Sequence, residues 1–274
     1  MGAITLTTDF GLADPYVGLV KGAILCVHPA VTIVDVTHAI DPQDCAQAAR
    51  SLAWIYPYFP EGTVHAVIVD PGVGSRRKII AFRHQGHLFL GPDNGVFTLL
   101  LDPISPDPIV AVDNPRYFRH SVSRTFHGRD IFAPVAAHLA RGLALDALGP
   151  VLDPDNLVRL ALPAPRLRSP GAIEGTIVAV DHFGNLISDI HLELLPPLEA
   201  GTGGSGIEIR CAQTRICGVS QSYAAQPPGA PLAIIGSRDT LEISINQGHA
   251  AHDLEARAGD PVTVTWSAKS SGPG

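Results

Sequence analysis

Charge is scarce in this sequence. Only 16% of the 274 residues are Asp, Glu, Lys or Arg, against about 25% in an average domain. The 26 acidic and 19 basic residues leave a net charge of −7. No basic stripe is present to follow a phosphate backbone, which argues against nucleic acid as a partner. Cysteine is also sparse. Cys26, Cys45, Cys211 and Cys217 stand apart and form no C-x-x-C pair. That excludes a zinc knuckle, a thioredoxin motif and a disulfide scaffold. No apolar run reaches the roughly 18 residues of a membrane helix. No basic segment leading into an apolar one marks a signal peptide after Met1. The expectation is a cytoplasmic protein with no membrane partner. The G-x-S-x-G, H-E-x-x-H, Walker and G-x-G-x-x-G motifs are missing as well. His249 and His252 lie three apart with no carboxylate or cysteine cluster around them, so no metal site is expected.

What is present is ample apolar material. At 46% hydrophobic, the chain can build a core, and disorder over most of its length is excluded. At about 150 residues per domain, one large domain or two modest ones are expected. The first part alternates strand and helix signals. β-Branched runs at 4–8, 31–36 and 64–69 alternate with helical spacing over 16–27 and about 41–58. Asp41 and Pro42 read as the N-cap and first residue of the second helix. Strands at 79–83 and 87–90 read as a hairpin around Gln85 and Gly86, and Ile131 to Arg141 as a further helix, with Asp130 as its cap. This order predicts a mostly parallel α/β sandwich domain over residues 1–162.

Near residue 162 the texture changes. Three prolines and a glycine between Leu162 and Gly171 predict a linker at 163–170. Beyond it, β runs at 173–180, 207–210, 232–235, 241–245 and 262–266 predict a small all-β barrel domain over 171–268. Glu199 to Gly206 is read as a flexible loop and 269–274 as a disordered tail. Trp54 and Trp266 are read as core residues.

Several polar clusters close strands. Asp9 follows the first one, where open α/β sheets bind ligands. Asp70 and Arg77 bracket a glycine-containing turn, so an acid and a base can face one pocket. His127 and Gly128 sit at a loop–helix junction. In the β domain, Asp181, Phe183 and Asn185 offer a carboxylate, an aromatic face and an amide. Ser237 and Arg238 add a hydroxyl and a guanidinium fork. Each can equally be an ordinary turn residue.

Taken in order, the strings TTDFG (7–11), VGLVKG (17–22), VDPGVGSRR (69–77), GPDNG (91–95), TFHGRD (125–130), DHFGN (181–185) and GSR (236–238) resemble the S-adenosylmethionine hydrolase, or hydroxide adenosyltransferase, family, relatives of the fluorinase and chlorinase. The resemblance spans about residues 3–266. It implies cleavage of S-adenosylmethionine by water at the ribose C5′, giving adenosine and L-methionine, with no cofactor and no metal. It also implies an N-terminal α/β domain, a C-terminal β-barrel, and a homotrimer with active sites between subunits. By the same resemblance, Asp70, Arg77 and His127 form the water-activating set, and Asp9 binds the ribose hydroxyls. Phe126, Gly128, Asp181, Phe183, Asn185, Ser237 and Arg238 contact the substrate. In the halogenating relatives the position of Gly128 carries a halide-binding serine or glycine. Three rivals stand beside this reading. They are a chlorinase-like halogenase, a non-catalytic nucleoside-binding protein, and a metal-dependent phosphoesterase using Asp9, Asp70, His127 and Asp130.

Overall fold

The computed structural model describes residues 2–101, 108–198 and 206–267. Apart from Gly206, the loop expected at 199–206 and the tail expected at 269–274 lie outside the described residues. Two compact units meet in sequence at Ala161 and Leu162.

The first unit is built on a six-stranded sheet. Its strands are β1 (Ile4–Thr8), β2 (Ile33–Thr37), β3 (Val64–Ile68), β4 (Ile79–His84), β5 (His87–Pro92) and β6 (Val110–Ala111), in the spatial order β2-β1-β3-β5-β4-β6. The pairs β1/β2, β1/β3 and β3/β5 are parallel, and β4/β5 and β4/β6 are antiparallel. Helices α1 (Tyr16–Val27) and α3 (Ala133–Ala140) share one core with Ile4, Leu6, Val64, Ala66 and Ile68. Helix α2 (Cys45–Ile55) shares another with Val67, Val69, Phe82 and Phe89. Alternate residues of the β3 segment thus enter opposite cores, and every residue of β1 and β3 is buried. That burial on both faces is the setting of central strands in a parallel sheet, and it holds here although β1 alternates its apolar residues with threonines and β3 carries His65. The β4–β5 hairpin turns at Gln85 (φ 45°) and Gly86 (φ 80°). Two left-handed residues are what a tight two-residue turn with the sheet's twist requires.

Three local expectations are corrected. Helix α2 starts at Cys45, not near Asp41. Asp44 is its N-cap and accepts the Gln47 N–H at 2.8 Å, because Gln43 at φ 69° interrupts any helix begun at Pro42. Residues Tyr56–Tyr58 continue as a tighter 3₁₀ turn. Asp130 is not a cap. It lies inside a π-helical turn, Gly128–Phe132, ahead of α3, with its carboxylate fully buried and bonded to Arg129 and to the Ser123 N–H.

The second unit is an eight-stranded antiparallel sheet. Its strands are β7 (Arg166–Ser169), β8 (Ala172–Val180), β9 (Leu186–His191), β10 (Ile207–Cys211), β11 (Thr214–Cys217), β12 (Pro231–Ile235), β13 (Thr240–Ile245) and β14 (Pro261–Trp266). The order is β11-β10-β14-β8-β9-β13-β12, with β7 also on β8. Strand β8 carries a register shift between Ile177 and Ala179 where it pairs with β9. Residues from both ends of the order, Ile209 and Val264 with Leu241 and Ile243, fill one core, which gives the sheet its nearly closed, barrel-like form. Trp266 packs at the edge of that core. The stretch expected as a linker holds β7, whose Arg166 and Leu167 pair with Glu174 and Ile173.

Candidate active site

Strand ends build the main cluster. Asp70 follows β3 and begins a turn that returns the chain to Arg77. The Val73 and Ser75 N–H groups close it onto the Asp70 and Gly72 carbonyls at 3.2 and 3.1 Å. Gly74 sits at φ +76°, and a Cβ there would stand 2.3 Å from the Arg124 carbonyl oxygen. The glycine therefore lets the 70–77 turn press against the loop that leads to His127.

The result is a closed polar set. Arg77 Nε donates to Asp70 Oδ1 at 2.8 Å and to Oδ2 at 3.0 Å, and its Nη2 also bonds Oδ2. The same Nη2 lies 2.9 Å from His127 Nδ1. The Asp70 and Arg77 side chains are 7% and 11% exposed. A guanidinium has only donors, so His127 Nδ1 is the acceptor and the neutral ring carries its proton on Nε2. Burial first, and the Arg77 charge second, hold the His127 imidazole below the ordinary histidine range, against the opposite pull of Asp70 and Asp130.

The loop bearing His127 is clamped by Asp130. Its carboxylate accepts the Ser123 N–H at 2.8 Å and Arg129 Nε at 2.7 Å, and its carbonyl accepts the Arg119 N–H at 2.9 Å. With both oxygens of Asp130 bonded in this way, the four-residue phosphoesterase constellation loses one member. Among the described residues, no group of three His, Cys, Asp or Glu side chains is arranged to hold a metal ion. Nor is any helix long and apolar enough to cross a membrane.

Asp9, Asp70, Phe126, His127 and Gly128 line one cavity of about 300 Å³, together with Phe10, Gln43, Ile68, Pro71, Val73 and Thr125. Asp9 Oδ2 accepts the Gln43 N–H at 2.9 Å. Gln43 is a site residue that sequence reading missed, since nothing in its type announces its left-handed backbone. A Cβ on Gly128 would stand 3.2 Å from the Phe10 ring and 3.4 Å from Ile68, so this wall has little room for a side chain.

The remaining candidates lie in the second unit. Asp181 Oδ1 accepts the Phe183 and Asn185 N–H groups at 2.9 and 2.8 Å, and its Oδ2 accepts Asn185 Nδ2 at 2.8 Å. This turn leaves Phe183 72% exposed. Ser237 and Arg238 form the tight β12–β13 turn, closed by Gly236 N–H to the Thr240 carbonyl at 2.9 Å. Glu242 was also missed. It is buried, and its carboxyl is raised by burial first and then by Asp181, with Arg238 opposing. A Cβ on Gly236 would fall 1.7 Å from Glu242 Oε1, so the carboxyl packs directly against this glycine and would have to move to admit a side chain.

Known proteins resemble this chain along most of its length. Residues 4–149 match the family model for the SAM hydroxide adenosyltransferase N-terminal domain, and 175–263 match the C-terminal domain of the same name. A relative from Thermus thermophilus, named (R)-S-adenosyl-L-methionine hydrolase, is 39% identical over 96% of this chain and 100% of its own. A fluorinase from an Actinoplanes species is 31% identical over 96% of this chain and 97% of its own. An uncharacterized conserved protein from Thermotoga maritima, known from its crystal structure, superposes with a TM-score of 0.88 at 32% identity, over 96% of this chain and 99% of that one.

Proposed function

This chain belongs to the SAM hydroxide adenosyltransferase family, and from that membership we propose that it hydrolyses S-adenosyl-L-methionine to adenosine and L-methionine. The observation that carries the reading is the Arg77 guanidinium bonded to both Asp70 and His127 beside the cavity that Asp9 lines. In the reaction a water oxygen bonds to the ribose C5′. The C5′–sulfur bond breaks, its electron pair leaves with sulfur, and the water's proton is released. Methionine departs as a neutral thioether and needs no acid.

The work left to the protein is to hold one water in line and stabilise charge growing on its oxygen. Arg77 supplies a cationic donor. Neutral His127 supplies an Nε2–H donor while its Nδ1 is engaged by Arg77. Asp70, with carboxylate lone pairs beyond those that Arg77 uses, receives the proton. Asp9 accepts from the ribose hydroxyls through the oxygen not bonded to Gln43. Phe126 and Gly128 form the apolar wall of the cavity. In the second unit, Asp181, Phe183, Asn185, Ser237 and Arg238 form the wall around the adenine and methionine ends of the substrate. The substrate brings its own leaving group, so no cofactor is needed, and the assembly is a homotrimer.

Turnover in H₂¹⁸O tests the reaction. Adenosine carrying ¹⁸O at the 5′ position, formed at the same rate with and without millimolar chloride, is the expected product. Formation of 5′-chloro-5′-deoxyadenosine, or an intact substrate, would reject the proposal in favour of a halogenase or a binding protein respectively.

A further inference from the structure

A second polar chain runs behind Asp9, buried at Thr8 and His38 and reaching the surface at Asp35 and Lys21. The β1/β2 pairing shifts register between Leu6, opposite Asp35, and Thr7, opposite Thr37. Val36 is therefore an extra residue in β2, a bulge of the kind that re-aims the side chains after it. Just past the bulge, His38 is 5% exposed and its Nδ1 lies 2.9 Å from the hydroxyl of Thr8, itself 1% exposed. Thr8 Oγ1 also accepts the Phe10 N–H at 3.3 Å. On the other side of the ring, His38 Nε2 lies 3.1 Å from Asp35 Oδ1, and Asp35 Oδ2 accepts Lys21 Nζ at 2.5 Å.

The Thr8 hydroxyl bridges His38 Nδ1 and the Phe10 N–H, with the donor and acceptor at Nδ1 set by the tautomer of the ring. On the other edge of the ring, Nε2 approaches Asp35 Oδ1 but makes no hydrogen bond and is buried. The His38 backbone carbonyl adds another tie by accepting the Gly11 N–H at 2.8 Å. Immediately after Asp9, Phe10 is thus tied to the Thr8 hydroxyl that contacts His38, and Gly11 to the His38 carbonyl just past β2, with Gly11 meeting the demand at φ +66°.

We propose that Thr8 and His38 are positioning residues for Asp9, and that this buried relay sets the protein's selectivity for ribose hydroxyls. The proposal rests on the assignment of Asp9 as the ribose-binding acid. A carboxylate discriminates by hydrogen-bond geometry, so its aim matters as well as its charge. Neither Thr8 nor His38 lines the cavity, so their effect reaches the ligand only through the 9–11 turn.

The test compares adenosine with 2′,3′-dideoxyadenosine by titration calorimetry, in wild type, Thr8→Val, Thr8→Ser and His38→Gln, with thermal melts as a check on folding. Thr8→Val keeps the shape and deletes the hydroxyl. The preference for adenosine is expected to fall about 3- to 10-fold in Thr8→Val and His38→Gln, the scale of one well-aimed hydrogen bond. Affinity for the dideoxy compound stays at its wild-type value, and Thr8→Ser restores the preference. In S-adenosylmethionine turnover the same variants raise KM more than they lower kcat. The two positions perturb the relay from different links, so one folded variant suffices. An unchanged preference, or equal weakening of both ligands, overturns the proposal. A wild type that does not distinguish the two ligands overturns the Asp9 assignment, and the relay's role with it. A wild type that releases no adenosine from S-adenosylmethionine rejects the hydrolase reading itself, which the binding comparison does not depend on.

Discussion

Replacing Arg77 with alanine removes one group that serves two partners. The guanidinium bonds both oxygens of Asp70 and reaches His127 Nδ1 at 2.9 Å. Losing a preorganised donor to charge that develops in the transition state costs about 10²- to 10³-fold in kcat, or about 2.7–4 kcal/mol. Binding of the ground-state substrate does not use this donor, so KM should move far less. The pH profile should move too. Arg77 is one of the causes that lower the His127 pKa, while Asp70 raises it. Without Arg77 the imidazole protonates at higher pH, so the acid limb of kcat/KM shifts upward. Arg77→Lys keeps the charge but lacks the planar fork that serves Asp70 and His127 together. It should restore the position of the acid limb without restoring kcat. Asp70 is left as a nearly buried charge in the alanine variant, a loss of about 3–5 kcal/mol of stability for a fully buried pair, so a melt must show the variant folded at the assay temperature. The assay is chromatographic measurement of adenosine between pH 5 and 9. A kcat within threefold of wild type, or a loss carried entirely by KM, would refute the reasoning.

Two further outcomes follow from single residues. Asp9→Ala should weaken S-adenosylmethionine binding at least tenfold in a calorimetric titration, since each hydrogen bond to a charged acceptor contributes about 1.5–3 kcal/mol, and unchanged affinity would remove Asp9 from the ribose site. His65 is 0% exposed and is pushed down to about 3, by burial first and then by His87. Its unfolded value is about 6.5, so the unfolded chain binds the extra proton between these two values, and stability must fall as pH drops from about 6.5 toward 3. At pH 4.5 this one group costs on the order of 2–3 kcal/mol. Urea titrations at pH 7 and 4.5 should show that loss in wild type and a smaller one in His65→Phe, and equal losses would exclude His65 as a source.

What the sequence made legible was what its local chemistry dictates. The left-handed Gln85-Gly86 turn, the strand-closing Asp9 and Asp70, and the change of texture near residue 162 all depend on neighbours a few positions away. The α2 start was hidden because Gln43 is held in its conformation by distant partners, including Asp9 34 positions earlier, and not by its residue type. Strand β7 was masked by the prolines around it, although Arg166 and Leu167 needed only Glu174 and Ile173 to pair. Asp130 resembled a helix cap because helix starts and buried ion pairs use the same carboxylate. At the candidate site, the spacing of Asp70 and Arg77 hinted at a pair, but His127 lies 50 positions from Arg77 and only the family motif suggested it. Thr8, His38 and Glu242 carried no signal, since their surroundings come from other strands.

The same geometry bears on the choice of nucleophile. Asp70 and Arg77 neutralise each other before any ligand arrives, and burial with Arg77 favours neutral His127. The set therefore carries no net charge beside a sulfonium substrate. An unpaired Arg77 would repel that cation and would attract halide. An unpaired Asp70 would hold the sulfonium tightly in the ground state, which does not raise the rate of the chemical step. A neutral set with donors and a carboxylate in contact can instead polarise a neutral molecule, taking its proton on one side and stabilising its oxygen on the other. Water meets both requirements. Chloride and fluoride have no proton to give, and each needs a dry pocket of donors to offset dehydration. Gly128 has no side-chain hydroxyl, and a Cβ there would already crowd Phe10 at 3.2 Å, so this wall contributes no side-chain donor to a halide. Under the proposed assignment of Asp70, Arg77 and His127 as the water-activating set, the pairing of Arg77 with Asp70 favours water by the charge it cancels as much as by the hydrogen bonds it makes.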